Sequence, residues 1–178
     1  MSIQLSAIKP GLALVLLGLA FGIALGVNEA VFKDFVTQGI AAHPDVHDAK
    51  SQDKIWRYAQ RAHFHSTGIA AFSIGLLLLV SITNLSQKLK KVTSVLIGLG
   101  FFYPLSWLTM FLLAPSIGQS AAHSHIVTEL LTYVGVGGLV IGFGILIGNN
   151  FFASSPKKSK PNNANSLGRK KRYFAVPI

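Results

Sequence analysis

The chain has 178 residues, 51% of them hydrophobic and only 12% charged, with a mean hydropathy of +0.51. Soluble domains carry about twice that share of charge, so the composition excludes an ordinary soluble fold. The absence of cysteine removes disulfides and thiolate ligands, leaving nitrogen, oxygen or Met donors for any metal. The net charge of +10 is distributed as a topological signal, and no nucleic-acid module accompanies it.

Four apolar runs, 11–27, 67–83, 92–114 and 126–149, each approach the roughly 20 residues that a helix needs to cross a bilayer. None shows the polar stripe of a soluble bundle helix. The expected fold is an all-α integral membrane protein, a four-transmembrane-helix bundle over 1–153, with an outer loop at 28–66 and a basic tail at 154–178. Eleven of the sixteen cationic residues lie before the first run (Lys9), between the second and third (Lys88, Lys90, Lys91) or in the tail. No acid lies among them. The positive-inside rule then puts both termini in the cytoplasm of a bacterial-type inner membrane.

In chain order, the first run carries Gly18, Gly22 and Gly26 at four-residue spacing, a small face on which another helix can pack closely. Read alone, Lys9 and this run loosely fit a cleaved signal peptide; the glycine pattern favours a retained helix. Glu29, seven residues after Gly22, is expected on the same face and pointing into the protein. Val31, Phe32, Phe35, Val36 and Ile40 predict an amphipathic helix over 28–42, lying on the outer surface. His43, Pro44, Asp45, Val46 and His47 read as a turn, with weak capacity for an ion together with Asp48.

From about Gln52 the chain is expected to be helical into the second span, with Trp56 and Tyr58 at the interface. Gly68, Ala71 and Gly75 form its expected packing face. Arg61 and His65 share one side, and His63 points elsewhere, because residues two apart on a helix are about 200° apart. In the third run Pro104 should kink the helix and Pro115 should end it. Tyr103, Ser106, Trp107 and Met110 surround Pro104 on the outward half. The fourth run follows His123, Ser124 and His125, with Glu129 and Thr132 at helical spacing and Gly135, Gly138, Gly142 and Gly148 as its small face. The tail, rich in Ser, Pro, Asn and Lys, reads as disordered.

All six histidines and all six acids fall within 28–66 or 123–129, which the topology places on one side of the membrane. The strongest signal is the pair of His-x-His motifs at His63/His65 and His123/His125. Imidazoles from separate helices can converge on one metal or on haem iron. The expected centre uses His65 and His125 as axial or metal ligands, with His63, His123, Glu29 and Glu129 completing it. Arg61 is expected to pair with Glu29 or a haem propionate, or to form a plain helix-end salt bridge. The cofactor is haem b or a Cu or Zn ion, and the role is redox or metal handling at the periplasmic face, including electron transfer as a respiratory or oxidase subunit. Two other readings stand beside it. One is a proton- or metal-ion-coupled transporter using the same cluster; the other is a cofactor-free accessory subunit that binds other membrane subunits, or its own copies, through the glycine faces.

Overall fold

A computed structural model describes residues 5–27 and 29–152 of the chain. Seven α-helices are found among them: α1 Leu5–Val27, α2 Glu29–Ala42, α3 Ser51–Ile82, α4 Gln87–Gly98, α5 Phe102–Ile117, α6 Gln119–His123 and α7 Ile126–Phe152. Four stretches are long and apolar enough to cross a membrane: Leu5–Val27, Ser51–Ile82, Gln87–Ile117 and Ile126–Asn149. They correspond to the four expected runs and extend beyond three of them. The basic tail lies outside the described residues.

Local chemistry sets the helix ends. The Asp48 carboxylate accepts from the Lys50 backbone N–H and from the Ser51 hydroxyl, both at 2.9 Å, just where α3 begins. Ser86 caps α4 by accepting from the Leu89 N–H. The expected break at Pro104 takes the form of a 3-10 turn, Leu99–Phe101, between α4 and α5. Pro104 cannot donate to the carbonyl four residues back, so the helix tightens one turn earlier. Pro115 does not end the helix, contrary to expectation. It sits inside α5, which stops at Ile117 before Gly118, whose φ of +79° suits glycine.

The α4–α5 stretch is the centre of the bundle. It touches α1, α3 and α7, and α7 packs mainly on this central stretch, with its Phe143 ring also meeting Phe72 of α3. Two apolar cores lie at opposite ends. One joins Ile8 and Val15 of α1 to Leu77 and Val80 of α3, Ile97 of α4 and Leu146 of α7. The other joins Val36 of α2 to Ile55 and Ala59 of α3, Phe111 and Ala114 of α5 and Ala122 of α6. The first is the lysine-bearing end and the second the histidine-bearing end.

Helix α2 therefore caps the bundle: Val36 is buried, Phe32 and Phe35 meet the Phe111 ring, and Gly39 abuts Pro115. A helix is thus present where the apolar periodicity predicts one, with Val36 buried while Val31 and Phe35 stay exposed. The periodicity is real, but much of the apolar face is taken up by the protein itself. The glycine faces divide similarly. Gly18 and Gly22 of α1 and Gly135, Gly138 and Gly142 of α7 lie against neighbouring helices. Gly68, Gly75 and Gly148 have nothing near them, and the inner face of α3 is instead Ser66, Ala70, Ser73 and Leu77.

Candidate functional site

At the histidine-bearing end the bundle is open in two places. A crevice of about 240 Å³ lies between α5, α6 and α7, lined by Tyr103, Ser106, Trp107, Met110, His123, Thr128, Glu129, Thr132 and Tyr133. Several of its hydroxyls are already engaged. Ser106 donates to the Tyr103 carbonyl, Thr128 to the Ala122 carbonyl and Thr132 to the Thr128 carbonyl, at 2.7–2.9 Å. The Trp107 indole nitrogen is buried and has no acceptor among the described residues. The side chains of His123 and Glu129 are exposed.

The second crevice, also about 240 Å³, lies between α1, α2 and α3 and contains Glu29, Trp56, Gln60, His63 and Phe64. The His63 Nδ1–H donates to the Gly22 carbonyl at 2.7 Å. That bond fixes the ring, and in the neutral tautomer it leaves Nε2 as a lone pair. Gly26 permits this close seating, since a Cβ there would come within 2.9 Å of the His63 ring. Glu29 forms an exposed ion pair with Lys33, 2.6 Å away and one helical turn on.

The inward orientation expected for Glu29 is thus corrected. Glu29 lies beside Gly26 on the crevice wall, but its carboxylate is exposed at the mouth rather than enclosed in the bundle. His63 and Glu29 share one crevice, while His123 and Glu129 share the other. His65 and His125 line neither. His65 stacks on Trp107 with centroids 5.9 Å apart and touches Tyr103, behind two residues of the α5–α7 crevice wall. His125 Nδ1 accepts from the Val127 N–H and so caps α7.

Arg61 lies with His65 on the expected side, its guanidinium 4.7 Å from the centre of the Trp107 ring. His47 does not face an ion with His43: its Nε2–H donates to the Pro115 carbonyl at 2.9 Å. Among the described residues, no group of three or more His, Asp or Glu side chains comes together as a metal site would need. The chain therefore holds two His–Glu pairs in separate crevices, in place of one converged centre.

Sequence reasoning underrated the aromatic residues. Tyr103 and Trp107 are one turn apart on α5, as Glu129 and Tyr133 are on α7, and these facing pairs wall the crevice. That spacing was the available signal. No family model matches the sequence, and no curated protein or solved structure matches it either.

Proposed function

We propose that the chain is a multi-pass protein of a bacterial-type inner membrane that binds a planar, conjugated amphipath in the crevice between α5 and α7. Four sufficiently long apolar helices support the membrane reading. Eleven of the sixteen cationic residues lie in segments without an acid or a histidine, which supports cytoplasmic termini and an outward-facing site. One observation carries the binding reading. The Trp107 indole N–H is buried without an acceptor in the wall of a crevice whose rim holds His123 and Glu129. An unpaired buried donor costs about 1–3 kcal/mol, a penalty that a ligand acceptor would remove once the indole edge turned to meet it, since the N–H lies below the crevice surface.

The flat walls formed by Tyr103, Trp107 and Tyr133 suit a flat ring system, and His123 and Glu129 suit its polar substituents. Haem and quinones belong to this chemical class, and a redox role at the periplasmic face follows from it. For haem, His123 would offer the imidazole within the crevice. A lone Cu or Zn ion is less well served, since a four-coordinate site would find only His123 and Glu129 there.

The test is to purify the protein in mild detergent, record oxidised and reduced absorption spectra, and identify extracted small molecules by mass spectrometry. The expected result is one conjugated molecule per chain, lost in a His123→Ala, Glu129→Gln double variant. A colourless protein that binds neither added haem nor an added quinone would overturn the reading.

A further inference from the structure

We infer that the crevice between α1, α2 and α3 binds the headgroup of a primary-amine phospholipid, an inference that rests on the membrane reading above and not on the α5–α7 ligand. Its polar groups include a cluster of acceptors. Glu29 contributes a carboxylate, Gln60 an amide oxygen, and the neutral His63 ring, with Nδ1–H donated to Gly22, a lone pair at Nε2. Such a set calls for a cation that carries N–H bonds.

The structure already contains an ammonium held in this manner. Lys33 Nζ pairs with Glu29 and lies 5.2 Å from the centre of the Trp56 ring, so an aromatic face and a carboxylate together hold an amine. Lys33 and Trp56 also wall a smaller adjoining cavity of about 80 Å³. A lipid ammonium that takes the place of Lys33 at Glu29 leaves the lysine beside the lipid phosphate. The Glu29–Lys33 pair and an ethanolamine headgroup are both zwitterions, so each charge finds its opposite and the site stays neutral.

The position suits a lipid as well. With a rise of about 1.5 Å per residue, the 32-residue α3 is longer than a hydrocarbon core of about 30 Å, so its first third stands at the interface level. Trp56 and Gln60 lie in that third, and the exposed Phe64 ring at the crevice wall offers apolar surface to an acyl chain. A choline headgroup has no N–H to give the acceptors, and a glycerol headgroup has no cation. Ethanolamine should therefore be preferred over both.

The full chain would be placed in nanodiscs with equal parts of dioleoyl phosphatidylethanolamine, phosphatidylcholine and phosphatidylglycerol, then released for native mass spectrometry. The expected result is one ethanolamine lipid retained per chain. Glu29→Gln, a change at an exposed residue that leaves the fold intact, should cut its preference over choline about tenfold, the loss of one charge-assisted bond. Gln60→Leu should cut it less. Glu129→Gln should leave it unchanged, which separates this site from the α5–α7 crevice. Equal retention of the three lipids, or a preference that survives Glu29→Gln, would overturn the proposal. Retention of no lipid at all would overturn it alone, whereas a chain that does not enter the discs would overturn the membrane reading with it.

Discussion

The two ends of the bundle are built by different means. At the lysine-bearing end the backbones nearly touch. A Cβ on Gly11 would lie 2.0 Å from the Ser94 carbonyl oxygen, and one on Gly98 would lie 2.9 Å from the Gly11 carbonyl oxygen. Hydroxyls and one ammonium cross the gaps that remain. Ser94 donates to the Ala7 carbonyl at 3.1 Å, and the buried Lys90 donates to the Ser81 carbonyl at 2.9 Å near the end of α3. At the histidine-bearing end close glycine contacts persist, as of Gly39 on Pro115 and Gly135 on the Tyr103 backbone, but most spacers are rings: Phe32, Phe35 and Phe111 meet there, as do Tyr58, His65 and Trp107. Rings hold helices further apart than glycines do, and the two crevices described above open at that end. Small residues close a bundle, and aromatic ones make room in it.

This contrast is most readily broken by adding one carbon. Gly11→Ala drives a methyl into the α4 backbone, which cannot yield as a side-chain tip can. It should cost more than about 3 kcal/mol, above the usual range for overpacking. Gly75→Ala meets open space on α3 and should be neutral or stabilising by up to about 1 kcal/mol. Thermal unfolding in detergent compares the two, and similar losses would refute the division of the glycines into packed and free.

A second, smaller effect belongs to Lys90. Its ammonium lies where the carbonyls of α3 run out and favours that negative helix end. Lys90→Met keeps the length of the side chain but leaves the Ser81 carbonyl without this donor. The expected loss is about 1–3 kcal/mol by the same measurement.

At the open end the prediction is reversed. Glu129 is exposed, so Glu129→Gln should change stability by less than about 0.5 kcal/mol while weakening ligand binding about tenfold. Equal losses of both would mean that Glu129 supports the fold and has no part in binding.

The smallest effect is a titration outside the spans. The Lys54 ammonium first, then the Ser51 hydroxyl and the Lys50 N–H, hold the Asp48 carboxyl down to about 2 from its ordinary 3.8. A depressed folded-state value means that Asp48 contributes stability above pH 3.8, and that this is lost as the pH falls towards 2. Carbon-detected NMR should give that midpoint, and Lys54→Met should raise it.

Much of the fold was legible because it depends on residues counted along one helix. The four apolar runs, the opposite sides taken by His63 and by Arg61 with His65, and the small face at Gly135, Gly138 and Gly142 all follow from periodicity. The site was less legible because it depends on what lies across a gap. The sequence shows Gly68 and Gly142 as equally bare, yet one faces open space and the other meets Ile97. His65 and His125 carried the strongest pattern, but one lies behind Trp107 and the other caps its own helix. Glu29 was misplaced because one-helix spacing does not show that its carboxylate turns outward to Lys33. The Trp107 N–H without an acceptor, on which the binding reading rests, has no sequence signature.

The most direct test uses that indole as its own reporter. Trp56 and Trp107 are the two tryptophans of the chain, so a Trp56→Phe variant leaves only Trp107 fluorescent. Titration with haemin, a planar absorber, should quench its emission saturably at one equivalent, and adding His123→Ala and Glu129→Gln should weaken that quenching about tenfold. Quenching that rises linearly without saturation, and is the same in the triple variant, would contradict a ligand site between α5 and α7.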